Sequence, residues 1–425
     1  MTEQKYHIKN LSEEKKKMKK FAVLGFGVVG SGVVELFYKN KESIEKKAET
    51  ELDLKYILDL RDFPDSPYGD KVVHDINIIL NDPEVTVVAE CMGGVKPAFE
   101  FVNSCLAAGK SVASSNKELV AKKGDILLKT ARENHCNFMF EASVGGAIPI
   151  IRPLHKCLAA NTITKAAGIL NGTTNFVLEK MITDNMSFED ALSLAQKLGY
   201  AEKDPTADVD GIDACRKICI LSSLIYGKHV YPDSVKTTGI RNVTLEDVAS
   251  ADKLGYAVKL IASVTQMPDG KILPLVTPTL IPYSNLLSHV NDVFNAVMVW
   301  GDAIDKTMFY GRGAGKFPTA SAVMGDIINC AQHRNTVLSL EWEPSDNQDF
   351  IEDVDSYTSM WYLRSNVSSE KIADAVKKNG AEVVKSGEND VIVSEMNYAD
   401  FKKLEENLKN EGIEAVSVYP VAKND

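Results

Sequence analysis

The chain has 425 residues, 44% of them hydrophobic and 25% charged, with a formal net charge of -11. That length implies two or three domains with an ample core, and the acidic balance excludes general nucleic-acid binding, which needs a basic footprint. No apolar run reaches the ~20 residues that cross a bilayer, and the start, "MTEQKYHIKNLSEEKKKMKK", lacks the apolar centre of a signal peptide. Seven cysteines without a CxxC pair read as reduced thiols of a cytoplasmic protein.

Residues 1–18 are polar and lysine-rich, an extension ahead of the first core strand. "KKFAVLGFGVVGSGVVELFYKN" then predicts strand, tight turn and helix. Its Gly25, Gly27 and Gly30 form GxGxxG directly after an apolar strand and at a helix start. In that setting the pattern indicates a dinucleotide site: the first glycine turns the chain, the second admits the pyrophosphate, and the third lets helix pack on strand. The bland alternative is a βα turn that uses its glycines for packing alone. The second strand, "LKYILDLRD", ends at Asp59-Leu60-Arg61. An acid there binds the ribose hydroxyls of NAD and an arginine accommodates the extra phosphate of NADP. Both signals are present, so the cofactor is NADP or NAD, with Arg61 favouring NADP or dual use.

"VTVVAECMGG" reads as a third strand, fully apolar as in a buried parallel sheet. "AFEFVNSCLAAGK" is a helix ending at glycine, "SVASSNK" a strand end, "LLKTARENH" helix, and "NFMFEASVGGAIP" strand and loop. This alternation predicts an α/β, Rossmann-type doubly wound sheet over residues 19–150, completed by chain at about 310–340. Residues 151–310 read as an α+β domain. Within it "AAGILNGTTNFVLEKMITD" is strand, loop and helix, and "SFEDALSLAQKLG" is a helix with Ser187 at its N-cap and Asp190 three later. "YAVKLIASVTQ", "KILPLVTPTLI" and "NAVMVWGDAIDKTMFYG" are strands separated by Pro- and Gly-marked turns. "EWEPSDNQDFIEDVDS" is an acidic linker. Residues 350–425 follow in the order strand, helix, strand, strand, helix, strand, a ferredoxin-like small domain.

One loop calls for more than a fold. "AEKDPTADVDGIDACRK" crowds Glu202, Asp204, Asp208, Asp210 and Asp213 ahead of Lys217. Acidic runs are usually solvated. Here, however, the helix continues as "ICILSSLIYG", an apolar and therefore buried stretch. Asp210 is placed to N-cap that helix. Asp213 and Lys217 stand at i and i+4 on one face, where buried charge must be paired or functional.

With these motifs the chain resembles the homoserine dehydrogenases, from about residue 19 to its end. The most specific match is "AQKLGYAEKDPTADVDGIDACRK", supported by "MGG", "NK" at 116–117, "EASVGGAIPI", "GILNGTTNF" and "GRGAGKFPTASAV". The resemblance implies NAD(P)-dependent interconversion of L-homoserine and L-aspartate 4-semialdehyde, in the branch that leads to threonine, methionine and isoleucine. It implies proton transfer by Lys217 and a second active-site lysine, Lys117, beside the nicotinamide. Glu202 is implied to bind the substrate ammonium, with Asp208, Asp213 and Thr173 in the same pocket. Phe26, Val28, Val29 and Gly93 are implied cofactor contacts with the glycines, and Gly313 one near the nicotinamide half. Glu141, Val144, Gly146 and Ile148 are implied to hold a structural monovalent cation, Na+, chiefly through backbone carbonyls.

The residues 151–310 are then a homoserine-binding and dimerisation domain, and the protein a homodimer or homotetramer. The C-terminal part resembles an ACT domain, whose effector in this family is threonine. Its first strand-to-helix turn, "LRSNVSSEKI", lacks the Pro-Gly dipeptide of that pattern, which leaves a structural role open beside a regulatory one. A regulator that kept the cofactor fold and lost catalysis is the alternative; Lys117, Lys217 and Glu202 together favour the enzyme. A thioester route through cysteine lacks a Cys with a neighbouring base.

Overall fold

The computed structural model describes residues 18–333, 336–338, 340 and 342–423; the expected extension over residues 1–17 lies outside them. The chain divides into two compact units. The first takes described residues up to Ala159 with Ile220–Val230 and Ala314–Asp346, and the second takes Ala160–Cys219, Tyr231–Gly313 and the chain from Asn347.

The first unit runs β1 (Lys19–Leu24), α1 (Val28–Lys39), α2 (Lys41–Ala48), β2 (Leu52–Leu58), β3 (Val72–Val73), α3 (Ile76–Leu80), β4 (Val85–Glu90), α4 (Ala98–Ala107), β5 (Ser111–Ser114), α5 (Lys117–Glu133) and β6 (Phe138–Met139). Its sheet has the order β3-β2-β1-β4-β5-β6 with every pair parallel. Phe21, Ala22, Val23 and Leu24 are all fully buried. A strand covered on both faces reads as a continuous apolar run, which is why β1 shows no alternation. The order reverses between β1 and β4, and ligands of such sheets bind beyond the strand ends at that switch point. The doubly wound sheet expected from the sequence is the one observed.

The second unit begins with β7 (Ile163–Ile169), α6 (Gly172–Thr183), α7 (Phe188–Lys197), α8 (Thr206–Val209) and α9 (Ile212–Tyr226), of which the residues from Ile220 onward count with the first unit. Ser187 caps α7 as its sequence predicts, accepting from the Asp190 N–H at 3.1 Å. Next come β8 (Lys236–Thr237), α10 (Leu245–Lys253), β9 (Tyr256–Gln266), β10 (Ile272–Pro282), β11 (Phe294–Gly301) and β12 (Asp305–Arg312). β7, β9, β10, β11 and β12 pair antiparallel, whereas β8 joins β10 in parallel. The chain then returns to the first unit as α11 (Lys316–Gln332), which packs on α1. A Cβ at Gly32 would fall 2.9 Å from the Lys316 carbonyl oxygen, so glycine is what lets these two backbones meet.

The C-terminal segment runs β13 (Thr358–Ser365), α12 (Ser369–Lys378), β14 (Val383–Ser386), β15 (Asp390–Asn397), α13 (Tyr398–Asn410) and β16 (Ala415–Val421). This is the strand–helix–strand–strand–helix–strand order, built on its own core of Trp361, Leu363, Ile372, Phe401 and Leu404. It is nonetheless continuous with the second unit. β16 pairs with β10, and the Ala422 N–H donates to the Leu280 carbonyl at 2.9 Å. The acidic stretch before it is tied down as well: Ile272 N–H donates to Phe350 O at 2.9 Å, and Glu352 N–H to Ile272 O at 2.8 Å. One mixed sheet therefore spans the second unit in the order β12-β11-β7-β9-β10-β16-β13-β15-β14.

Candidate active site

In the first unit the glycine turn sits at the switch point. Gly25 has φ +88°, a backbone state that side chains disfavour, and a Cβ at Gly30 would fall 1.9 Å from the Gly25 carbonyl oxygen. Nothing lies within 4 Å of a Cβ built at Gly27 or at Gly93. α1 has no side-chain cap at its start, which leaves its first N–H groups to an anion. Phe26 is buried beneath the turn and Val28 is 68% exposed on it. These features fit a dinucleotide: one tight glycine, one packing glycine, and open space where a phosphate approaches.

Asp59 follows β2 and is already engaged. It accepts the Phe26 N–H at 2.8 Å and the Arg61 guanidinium at 3.0 and 3.1 Å, a two-pronged pair. Burial alone would raise its carboxyl, but the hydrogen bonds from Arg61 and from the Phe26 N–H hold it at about 2. Arg61 also lies over the Phe63 ring at 5.1 Å and keeps an exposed side chain.

At the end of β4, Glu90 is fully buried and accepts from Ser114 Oγ–H at 2.6 Å and the Met92 N–H at 2.9 Å. Asn116 caps α5 through the Leu119 N–H at 3.1 Å and donates to the Gly94 carbonyl at 2.6 Å. Lys117 is thereby set, half-buried, at the first position of α5 beside the Gly93–Gly94 loop.

Glu141 is buried in a tight turn that Gly146 completes with φ +56°. Its carboxylate accepts the Ile150, Ile151 and Arg152 N–H groups at 2.6, 2.8 and 2.8 Å, so it caps the next helical segment. Its own N–H donates to Asp326 at 2.9 Å. Burial raises Asp326 to about 7 against the pull of the Arg152 guanidinium. Val144 and Ile148 line the same turn, buried. Among the described residues no three His, Cys, Asp or Glu side chains gather as a metal site. A cation in this turn would therefore depend on backbone carbonyls.

In the second unit the five acids of the loop part company. Asp204 accepts the Thr206 N–H at 3.1 Å at the start of α8. Asp210 turns to Arg241 instead of capping α9. Gly211 stands at that helix start with φ +78°, and the Cys215 N–H closes onto its carbonyl at 2.8 Å. Glu202 is exposed. Asp208 and Asp213 are the two brought together. The Asn171 side-chain amide donates to Asp208 at 2.7 Å and to Asp213 at 2.9 Å, while its oxygen caps α6 through the Thr174 N–H at 2.8 Å.

The expected i, i+4 pair is present and buried. Lys217 donates to Asp213 at 2.7 Å and to the Leu170 carbonyl at 2.6 Å, with the two residues 6% and 2% exposed. Thr173 is buried one step along α6, and its hydroxyl donates to the Tyr200 carbonyl at 2.7 Å. Gly313 directly follows β12, where a Cβ would meet the Asn295 amide at 1.9 Å. The NGTTN stretch at 171–175 reads in the sequence either as substrate hydrogen-bonding or as a polar turn, and Asn171 is not singled out within it. Its N-cap position was readable; its grip on two distant carboxylates was not.

Two of the thiols, Cys105 and Cys136, are buried and unsuited to a thioester route, whereas a hydrogen bond with Cys219 lowers Cys215. Burial pushes Cys105 up to about 12 and Cys136 to about 11, away from the reactive thiolate. Among the described residues no helix is long and apolar enough to cross a membrane.

A parallel sheet of this order, with a glycine turn open at its switch point, defines a dinucleotide-binding protein of the Rossmann class. The model of the "Homoserine dehydrogenase, NAD binding domain" family matches residues 25–141, and that of the "Homoserine dehydrogenase" family matches residues 149–328. The homoserine dehydrogenase of Bacillus subtilis is 37% identical over 427 residues, which cover 95% of this chain and 98% of that one. The chain belongs to the homoserine dehydrogenase family. The crystal structure of a homoserine dehydrogenase from Thiobacillus denitrificans aligns with a TM-score of 0.87 and 31% identity, covering 96% of this chain and 99% of that one. A hyperthermophilic archaeal homoserine dehydrogenase, solved in complex with NADPH, aligns with a TM-score of 0.62 and 27% identity over 74% of this chain and 98% of its own.

Proposed function

We propose that the protein interconverts L-homoserine and L-aspartate 4-semialdehyde with NAD(P), and that the Asn171–Asp208–Asp213–Lys217 cluster holds and activates the substrate. The observation that carries this reading is the buried Asp213–Lys217 pair joined through Asn171 to Asp208. A buried ion pair is weak evidence for stability, because desolvation offsets its attraction. A second carboxylate gathered at the same amide suits an amino-acid substrate, whose ammonium needs anionic partners.

Bound NAD(P) supplies the hydride acceptor or donor. The glycine turn receives its pyrophosphate, and Asp59 with Arg61 meets its adenosine ribose. Arg61 is the candidate for the 2′-phosphate of NADP, and Lys117, beside Gly93, is assigned to the reacting end. In the oxidation Lys217, as the neutral amine after losing a proton to solvent, accepts the proton of the substrate hydroxyl as the hydride leaves carbon. In the reduction its ammonium polarises the carbonyl oxygen and returns that proton. Glu202 and Asp208 take the substrate ammonium, and Asp213 orients Lys217.

Three finer assignments follow the same resemblance. The Glu141–Ile148 turn holds a monovalent cation, Na+, through the carbonyls of Val144, Gly146 and Ile148. The chain works in the cytoplasm as a homodimer or homotetramer. The C-terminal segment is assigned either threonine sensing or, given its missing Pro-Gly turn, a structural or dimerising role, and the threonine series decides between them. The function is tested by homoserine-dependent reduction of NADP, and of NAD in parallel, with L-threonine added in a second series. No turnover with either cofactor refutes the proposal.

A further inference from the structure

The cluster around Asp213 hangs from the first turn of α6, and that turn is gripped from its other side. Asn175 lies one turn after Asn171, its N–H on the Asn171 carbonyl at 3.3 Å. Its side chain is buried, and its amide donates to the carbonyls of Val290 and Asp292, both at 2.9 Å. Its oxygen accepts the ammonium of Lys259, on β9, at 3.0 Å. Lys259 is itself buried, and donates also to the Val290 carbonyl at 2.7 Å and to Asn291 Oδ1 at 3.3 Å. The loop it holds lies close against α6: a Cβ at Gly172 would fall 2.6 Å from the Val293 carbonyl oxygen.

Three donors of one ammonium thus meet three uncharged acceptors on two segments. Burying an ammonium is costly unless its donors are satisfied, and an apolar side chain would fill the space without joining those segments. We propose that Lys259 is a positioning residue for the reaction: its ammonium fixes Asn175 and the 290–292 loop, and through the first turn of α6 sets the Asn171 amide on Asp208 and Asp213. The inference rests on the reading of Asp208, Asp213 and Lys217 as the substrate site.

The geometry makes the grip sensitive to pH. Burial lowers Lys259 to about 8, and Glu179 on α6 is the charge that pulls the other way. The opposed residue on β10, Thr279, is uncharged. On α10, which packs on β9, Asp247 is held by Arg364 and Asp252 by Tyr283. Loss of the third proton turns a donor into a lone pair facing one of the three oxygens. Substrate handling should therefore weaken on the alkaline side.

The test is kcat/KM for homoserine across neutral and alkaline pH, with the KM for NAD(P) and a thermal melt for each variant. Lys259→Met is expected to lower kcat/KM for homoserine about tenfold or more, the scale of a misplaced reacting group, and to leave the cofactor KM unchanged. Asn291→Asp puts a carboxylate beside the ammonium at an exposed position. It is expected to move the alkaline limb up by about one unit, which a merely structural lysine would not do. Lys217→Ala is run in parallel. If that variant stays active, the substrate-site reading fails. If it is inactive while Lys259→Met keeps wild-type kcat/KM, or while Asn291→Asp leaves the profile in place, this inference alone is overturned. Where Lys259→Met does not fold, Asn291→Asp decides.

Discussion

Asn171 donates at 2.9 Å to the same carboxylate oxygen of Asp213 that accepts the Lys217 ammonium at 2.7 Å. One amide therefore aims the acid that aims the lysine. Because its other face caps α6, the orientation of that acid is tied to a helix end.

Replacing Asn171 separates these jobs. Asn171→Ala is expected to raise the KM for homoserine about tenfold or more, since hydrogen bonds to charged groups are worth ~1.5–3 kcal/mol. It should also cost ~1 kcal/mol of stability through the lost cap. Asn171→Ser keeps a cap oxygen and should recover the melting temperature without recovering the KM. Steady-state kinetics beside thermal melts distinguish the two effects; a Ser variant with normal KM refutes the role.

Lys217→Ala should cut turnover about 100-fold or more, the usual worth of general acid–base catalysis. Cofactor binding, followed by NADPH fluorescence, should be unchanged. The variant leaves Asp213 buried without its ammonium, so a loss of ~3–5 kcal/mol in stability is expected alongside. Activity above about a tenth of wild type in folded protein removes Lys217 from the chemistry.

Glu202 is exposed, and its backbone carbonyl takes the Gln196 amide at 3.1 Å, a bond that a side-chain change leaves in place. Glu202→Gln should raise the homoserine KM with little change in turnover or melting temperature, the mark of lost uniform binding. A fall in turnover alone contradicts its assignment to the substrate ammonium.

Arg61→Ala should weaken NADP far more than NAD; equal effects on both cofactors mean that Arg61 serves only Asp59. The same variant reports on acid stability. Asp59 sits at about 2 against an ordinary 3.8, so its contribution is present above about 3.8 and is lost as pH falls through about 2. Without Arg61 that loss should begin at higher pH in an acid titration of the fold. The shift should be small, because the Arg61 side chain is 64% exposed and screened.

The C-terminal segment is held by more than its own core. Arg364 on β13 is 3% exposed and binds fully buried Asp247 on α10 at 2.7 Å; Lys385 donates to the Leu254 carbonyl at the end of that helix. Arg364→Ala should destabilise the fold, up to ~3–5 kcal/mol for a buried carboxylate that loses its cation, because Asp247 keeps only the neutral donors of Thr244 and Tyr419. A chain ending near residue 345 would lose this contact and the β16 pairing on β10. It should melt well below the full chain even where it retains turnover. A truncated chain as stable as the full one shows that neither contact matters.

Local pattern carried much of this protein. The apolar run of β1, the glycines at 25, 27 and 30 and the strand–helix alternation are short-range signals. They determine a parallel doubly wound sheet whatever the rest of the chain does. Ser187 capped its helix because both partners lie within one turn. Asp213 and Lys217 met because four residues of helix bring two side chains onto one face.

Tertiary structure decided what contacts between distant residues decide. Five acids in one loop look equivalent along the chain, yet Asp210 goes to Arg241, Asp204 to a helix start, and only Asp208 and Asp213 reach Asn171. Lys259 reads as one more residue of a strand until β9, α6 and the 290–292 loop close around it. An acidic stretch that reads as a linker became bonded to β10 because unpaired backbone groups at a strand end take whatever partner the fold brings. Periodicity records which face a residue occupies; which distant group waits on that face is set only when the segments pack.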